Sequence, residues 1–477
     1  VLEGGGERGS DHVGDIAIVL HSHMPYVEGF GTYPFGEEWL FDAAIRSYLP
    51  VLAIARRLTM TITPVLADQL EDLGVQGRML EFARRFRLGS AELDSDDMES
   101  AELGAACSAE ADRYRDAVAS LEQLGGDLLV AFRDAADSGR VELIPSSATH
   151  AILPLIATRG ARRMQIETGL RSHRRRFGRA QGFWLPECAY EPGLEHLLAE
   201  GGIRYFLVDQ SRHEPAAAAM RPAESRGMTA FTIDREAVEW LWAMDGYPSD
   251  PGYADFHRKS LRGTRPWAIS GRPYDPEAAA GRAVAQADEF AAAVADRLDD
   301  HRRRSGVAGL LTFAIDTELI GHWWWEGPRW LAAALERLEA RGVRALTLSQ
   351  ALAEHPAQQR PLHRATWGEG RDFRTWDSPA VADLAWGARR LELRLLRELF
   401  AGRLRGAALQ RAARELLAVQ ASDWAFLDYK REAGDYGYQR SLGHALELFE
   451  AIDSPGRAIP ALRNLAPDLT LAPLLEP

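Results

Sequence analysis

Seven short apolar runs constrain this chain more than any other feature of its sequence. They fall at residues 16–20 (IAIVL), 60–63 (MTIT), 141–144 (VELI), 183–185 (FWL), 203–208 (IRYFLV), 310–315 (LLTFAI) and 345–347 (ALT). Each is a nearly continuous run and not a strict alternation, the pattern of strands buried on both faces of a parallel sheet. Helical patterns separate them, for example at 160–177, at 192–200 and in the alanine-rich stretch 276–298. Short strands alternating with amphipathic helices predict an α/β fold. No glycine-rich nucleotide turn follows the first run, so a closed parallel barrel fits better than an open, doubly wound sheet. In such a barrel the residues just after each strand carry the chemistry.

Two stretches interrupt the alternation. Residues from about 75 to 135 read as several helices without a strand, which predicts an insertion into the barrel. Residues 212–227, RHEPAAAAMRPAESRG, are rich in Ala, Pro and Arg and predict a mobile loop over about 210–230. The polar, glycine-rich residues 1–14 predict a disordered tail, leaving 15–365 for the barrel. From 366 to 477 the pattern becomes helical: Leu391, Leu395, Leu396 and Leu399 share one helical face, and 407–419 repeats the theme. This predicts a mainly α-helical C-terminal domain packed on the barrel, and 477 residues suffice for both.

Bulk composition excludes several classes of function. The formal charge is −13 with no long basic run, which argues against a nucleic-acid partner. No stretch approaches the roughly 20 apolar residues of a membrane span. Two cysteines, Cys107 and Cys188, form no disulfide framework and fit a reducing compartment. The expectation is a soluble, cytoplasmic protein without a membrane partner. Thirteen tryptophans crowd beside polar residues, among them Trp184, Trp242, Trp323, Trp367, Trp376 and Trp424. An indole offers a flat apolar face and one donor, which suits a sugar ring. Carbohydrate is the substrate class this points to.

The segment 182–190, GFWLPECAY, runs an apolar strand straight into Glu187; 313–327, FAIDTELIGHWWWEG, does the same at Asp316. Two carboxylates from different strand ends, both flanked by tryptophan, are the inventory for glycosyl transfer. Retaining enzymes place such a pair about 5–5.5 Å apart, one as nucleophile and one as acid/base. An apolar wall keeps one of them protonated while polar neighbours keep the other ionised. Glu318 and Glu326 are weaker candidates, because sharing the Asp316 site would require special loop geometry. Cys188 reads as a packed, inert thiol, since no histidine adjoins it in sequence.

After the first run come His21 and His23, which point the same way from a strand end. Two readings stand: hydrogen bonds to sugar hydroxyls, or a metal pair in a metal-dependent hydrolase, with His150 available as a further ligand. A catalytically silent glucan-binding protein would lack one of the two carboxylates, and both are present.

Taken in order, IVLHSHMPYV (18–27), ITPVLADQL (62–70), VELIPSSATHAILPL (141–155), GFWLPECAY (182–190), GYPSDPGYADFHR (246–258), FAIDTELIGHWWWEGP (313–328) and ASDWAF (421–426) resemble glycoside hydrolase family 57, in particular its α-1,4-glucan branching members. The resemblance implies an incomplete (β/α)7 barrel with helical insertions, a helical C-terminal domain that completes the cleft, and no metal or other cofactor. By motif position it implies Glu187 as nucleophile and Asp316 as general acid/base. It implies substrate contacts at His21, His150, Trp323, Trp367, Trp376, Asp423 and Trp424; His23, Trp184, Trp242 and His322, in or near the same segments, are further candidate substrate contacts. The implied substrate is an α-1,4-glucan such as amylose or glycogen, and the implied reaction is transfer of a glucan chain to a glucose 6-hydroxyl. One departure favours hydrolysis as the alternative. Branching members carry a longer, tyrosine-bearing loop, whereas residues 210–230 here are short and contain neither tyrosine nor tryptophan.

Overall fold

In the computed structural model, residues 12–29, 31, 35–209 and 216–476 are described. Ten strands form one sheet: β1 (Gly14–Ser22), β2 (Leu58–Ile62), β3 (Val141–Ile144), β4 (Gly182–Phe183), β5 (Tyr205–Asp209), β6 (Ala223–Ser225), β7 (Met228–Ile233), β8 (Leu310–Asp316), β9 (Val343–Ala345) and β10 (Gln358–Gln359). Seven parallel strands run in the order β3-β2-β1-β8-β7-β5-β4 and curl into a nearly closed barrel. β9 pairs with the start of β1, and β6 pairs antiparallel with β7. The seam lies between β3 and β4, where no ladder forms. There the Trp184 amide donates to the Pro145 carbonyl at 2.8 Å, and the Ser146 hydroxyl donates to the Trp184 carbonyl at 2.9 Å.

β1 is buried along its whole length, as its continuous apolar run requires. Its register sets Ile16 to Leu20 against Leu311 to Ile315 of β8, and so brings His21 level with Asp316. The helices follow their sequence signals closely. Asp275 caps the helix Pro276–Ser305, with proline in the first turn and Gly306 left-handed at its end. The insertion is helical throughout, built from Leu73–Glu81, Phe82–Leu88, Gly89–Asp97, Ala101–Gln123 and Leu128–Asp137.

Two expectations are modified. Of the loop expected at about 210–230, residues 210–215 lie outside the described residues. The remainder is structured: Ala216–Met220 form a 3-10 turn, and β6 and β7 form a hairpin whose second strand belongs to the barrel. The low-complexity stretch masked the short run MTAFTI that becomes β7. The expected tail falls on residues 1–11, again outside the described residues, while Val13 donates its amide to the Gly342 carbonyl and Gly14 opens β1.

The C-terminal region supplies four helices, Ala382–Phe400, Gly406–Val419, Ser422–Lys430 and Tyr436–Asp453. Their apolar faces share one core with the outer face of the seam strands: Leu391, Leu395, Leu416, Leu417 and Leu448 pack in the cluster that holds Phe183, Leu185, Phe206 and Val208. Burying several leucines this way contributes about 1.5–3 kcal/mol each. It also delivers the start of the Ser422–Lys430 helix to the mouth of the barrel, where Ser422 donates its amide to the His150 carbonyl.

Candidate active site

The site assembles at the C-terminal ends of β1, β3, β4 and β8. Past β4, Pro186 turns the chain and Glu187 and Cys188 take left-handed conformations, with φ of 57° and 49°. His150, after β3, is left-handed too, at φ 56°. Such residues cost of order 1–3 kcal/mol each and persist only where the surroundings hold them. Here they turn a carboxylate and an imidazole toward one point. His150 Nδ1 lies 3.7 Å from Glu187 Oε1.

Glu187 is held from three sides. The Trp367 indole N–H donates to Oε2 at 2.8 Å, and the Ser422 hydroxyl lies 3.3 Å from Oε1 and 2.9 Å from His150 Nδ1. Burial pushes the Glu187 carboxyl up to about 7, against the lowering effect of the Trp367 bond. Asp316, at the end of β8, stands in contrast. Among the described residues no group donates a hydrogen bond to its carboxyl. Burial, the Glu318 charge and the Glu187 charge hold it well above the ordinary carboxylate range. The two carboxyls therefore share one electrostatic environment, one with donors and one without. Cys188 is buried and its thiol is pushed far up by burial, so it is inert packing.

A wall of flat rings lines the β1 side. His21 stacks on Trp184 with centroids 4.4 Å apart, and His23 stacks on His150 at 4.0 Å. Trp184 meets Trp367 edge-on at 5.0 Å. Burial, with His23 nearby, drives His21 well below its ordinary value; His150 is lowered in the same way. Both ring nitrogens of His21, Nε2 of His150 and the Trp184 indole nitrogen are buried with no protein partner. They are enclosed as well as unpartnered: His21, His150 and Trp184 are 2%, 1% and 0% exposed. His23 differs: Nδ1 lies 3.0 Å from Thr63 Oγ1 and Nε2 lies 2.8 Å from Asp423 Oδ1. Burial alone would lower it, but Asp423, Glu318 and Glu187 outweigh that and raise it.

These contacts bear on the metal reading. A ligating histidine needs a free ring nitrogen, and both of those on His23 are already engaged by the protein. Among the described residues no three His, Cys, Asp or Glu side chains converge as a ligand set.

Not every expected residue enters this cluster. Trp242 and Trp323 form an open pair at 6.1 Å, 43% and 39% exposed. His322 is buried beside Phe256 and Trp323, and burial lowers it to about 3. The loop carrying them folds back on the Glu318 carbonyl, which accepts the amides of His322 and Trp323. Two other expected aromatic contacts are enclosed by the protein in this structure. Trp424 is 1% exposed and spends its indole N–H on the Ala418 carbonyl at 2.7 Å. Trp376 is buried against Ile152, Ala189 and Phe373. Both rings pack the junction between barrel and C-terminal helices.

Three contributors carry little signal in the sequence. Ser422 stands next to Asp423 in a quoted motif, but a serine at a helix start reads first as a cap. Tyr48 sits in an apolar helical run with nothing to mark it. Glu318, a weaker candidate from its spacing, is brought in by the 3-10 turn Thr317–Leu319: Oε1 accepts the His23 amide at 3.0 Å and also the Tyr48 hydroxyl.

With this geometry in place, comparison with known proteins assigns the lineage. The model of glycosyl hydrolase family 57 matches residues 17–363. The chain belongs to glycosyl hydrolase family 57. Within the family, residues 389–458 match the model described as 1,4-alpha-glucan branching enzyme, C-terminal. A 1,4-alpha-glucan branching enzyme of Thermococcus kodakarensis is 33% identical over 495 residues, covering 91% of this chain and 73% of that protein. A probable 1,4-alpha-glucan branching enzyme of Mycobacterium tuberculosis is 32% identical, covering 91% of this chain and 90% of that protein. The crystal structure of a family 57 branching enzyme from Pyrococcus horikoshii superposes with a TM-score of 0.88 at 31% identity, covering 97% of each chain. The fold is shared with the α-amylase AmyC of Thermotoga maritima, at a TM-score of 0.84 and 24% identity over 97% of this chain and 98% of that one.

Proposed function

We propose that this family 57 member is a retaining 1,4-α-glucan branching enzyme, with Glu187 as nucleophile and Asp316 as general acid/base. The observation that carries the reading is how the cleft is completed. The region matching the branching-enzyme C-terminal model supplies Ser422 to Glu187 and Asp423 to His23.

The donors around each carboxyl assign the roles. Trp367 and Ser422 stabilise an anion on Glu187, the form that attacks. Asp316, without a donor and beside two other carboxyls, keeps its proton, the form an acid needs. A Glu187 oxygen bonds to the anomeric carbon as the bond from that carbon to the glycosidic oxygen breaks. The departing oxygen takes the Asp316 proton, leaving a glucan chain esterified to Glu187. Asp316, now a carboxylate, takes the proton of an incoming glucose 6-hydroxyl. That oxygen attacks the anomeric carbon and frees Glu187, creating an α-1,6 branch. His21 and His150 form the enclosed wall beside Glu187, and Trp242 and Trp323 offer open faces to the acceptor chain.

The test is incubation with amylose, followed by isoamylase debranching and a parallel reducing-end assay. New α-1,6 linkages with few new reducing ends support the reading. Reducing ends that rise without branch points would replace it with an amylase. Activity abolished by a chelator and restored by a divalent metal would replace it with a metal-dependent hydrolase.

A further inference from the structure

Four carboxyl groups meet in this cleft, and hydrogen-bond donors are shared unequally among them. Glu187 receives Trp367 and Ser422, and Asp423 Oδ1 is paired with His23 Nε2. Glu318 receives the His23 amide and the Tyr48 hydroxyl. Asp316 receives none among the described residues. The mechanism so far has no use for Glu318, although it is only 4% exposed and two residues from the acid.

The groups facing this pair come from every neighbouring element. β1 brings His21, the residue just past its end is His23, and the π-helical segment Ala44–Tyr48 brings Tyr48. The β3 end brings His150, the β4 end brings Glu187 and Cys188, and the C-terminal region brings Asp423. His21 and His150 are held neutral by burial, so His23 is the cation of the set. One imidazolium cannot balance four carboxylates clustered in one cleft, with Glu318 buried and the other three partly so, and protons must be retained. Burial pushes Glu318 up to about 7 against the lowering effect of the Tyr48 and His23 bonds, whereas Asp316 has no donor to oppose burial and stands well above its ordinary range, so the proton is retained at Asp316. The Glu318 turn itself is fixed: Ser22 Oγ lies 2.8 Å from Thr317 Oγ1, and the Ser47 hydroxyl donates to the Thr317 carbonyl at 2.6 Å.

We infer that Glu318 is a positioning residue that keeps the general acid loaded: held as a carboxylate by the Tyr48 hydroxyl and the His23 amide, it obliges Asp316 to keep its proton until a leaving oxygen takes it. The inference rests on the roles proposed above for Glu187 and Asp316. It extends to the second half-reaction. Once Asp316 has given up its proton, the Glu318 charge beside it strengthens it as the base that deprotonates the acceptor. Because the two carboxyls interact, the alkaline limb reports the pair and not either residue alone.

The test is the pH dependence of kcat/KM on amylose for Glu318→Gln, which removes the charge and keeps the shape. The alkaline limb should move to lower pH by about one unit, an approximately tenfold loss on that side, because one unit of pKa is a tenfold change in ionisation. The acid limb, set by Glu187, should stay in place. An aryl α-maltoside whose acidic phenol leaves without a proton should be cleaved nearly as fast as by wild type. Tyr48→Phe should move the same limb in the same direction by less, and it serves if Glu318→Gln does not fold. A pH-independent fall in either folded variant, or an unmoved alkaline limb, overturns the inference. Wild-type protein that forms no product from amylose would instead overturn the function on which it rests.

Discussion

Trp367 holds Glu187 at two points: its indole N–H donates to the carboxylate at 2.8 Å and its backbone amide donates to the Glu187 carbonyl at 3.0 Å. One residue thus fixes both the left-handed backbone of the nucleophile and the direction of its side chain. The bond also favours the anion that burial disfavours.

Trp367→Phe keeps an aromatic ring against Trp184 and removes the donor. A hydrogen bond to a charged group is worth about 1.5–3 kcal/mol, so kcat/KM should fall roughly ten- to hundredfold. The acid limb of the pH profile should move upward, since Glu187 becomes harder to ionise. A pH-rate profile on amylose measures both; an unmoved acid limb would reduce Trp367 to an aromatic wall.

Asp423→Asn should destabilise the protein in a pH-dependent way. The folded protein holds His23 above its ordinary 6.5, through Asp423 first and then Glu318 and Glu187, despite burial. A group raised on folding contributes stability that is full below its unfolded value and lost as pH rises through its folded value. The gap in unfolding midpoint between wild type and variant should therefore be widest below about pH 6.5 and narrow at higher pH. Thermal unfolding across a pH series tests this, and a gap that widens with pH would refute it.

Trp323→Ala should shift the partition of the glycosyl-enzyme toward water. Trp323 and Trp242 present exposed faces, and one stacking contact is worth about 0.5–1.5 kcal/mol. Reducing ends released per branch formed should rise by about two- to tenfold. The paired debranching and reducing-end assays read that ratio directly.

Gly321→Ala should unfold the loop that carries Trp323. Gly321 has φ of 103°, and an added Cβ would lie 2.0 Å from the Arg46 carbonyl oxygen. Strain plus clash should cost at least about 2 kcal/mol, seen as a lower unfolding midpoint together with lost activity. Beneath this loop Arg113 lays its guanidinium 3.4 Å over the Trp325 ring and donates to the Trp325 carbonyl at 2.7 Å, so the helical insertion braces it.

The barrel was legible because buried parallel strands leave continuous apolar runs, as residues 16–20 and 310–315 show. β7 was not, because its short run follows a low-complexity stretch that reads as loop. Within the site, the placement of His21, Asp316 and Glu187 at or just past strand ends was legible, because an apolar run leads into each. The partners that tune them were not. Trp367 donates its indole N–H to Glu187 and Trp424 donates its own to the Ala418 carbonyl, partnerships that neither local sequence marks. Ser422 lies 235 positions from Glu187 and Tyr48 lies 270 from Glu318, separations that no local pattern encodes.

Everything proposed for this site depends on a covalent glycosyl bond forming at Glu187. Incubating Asp316→Ala with an α-maltosyl fluoride, whose leaving group needs no proton, should load the nucleophile and leave it without the base that releases it. Peptide mass spectrometry should then find one maltosyl adduct, on the peptide containing Glu187. An adduct on Glu318, Asp423 or any other residue, or steady fluoride release with no adduct, would contradict the account.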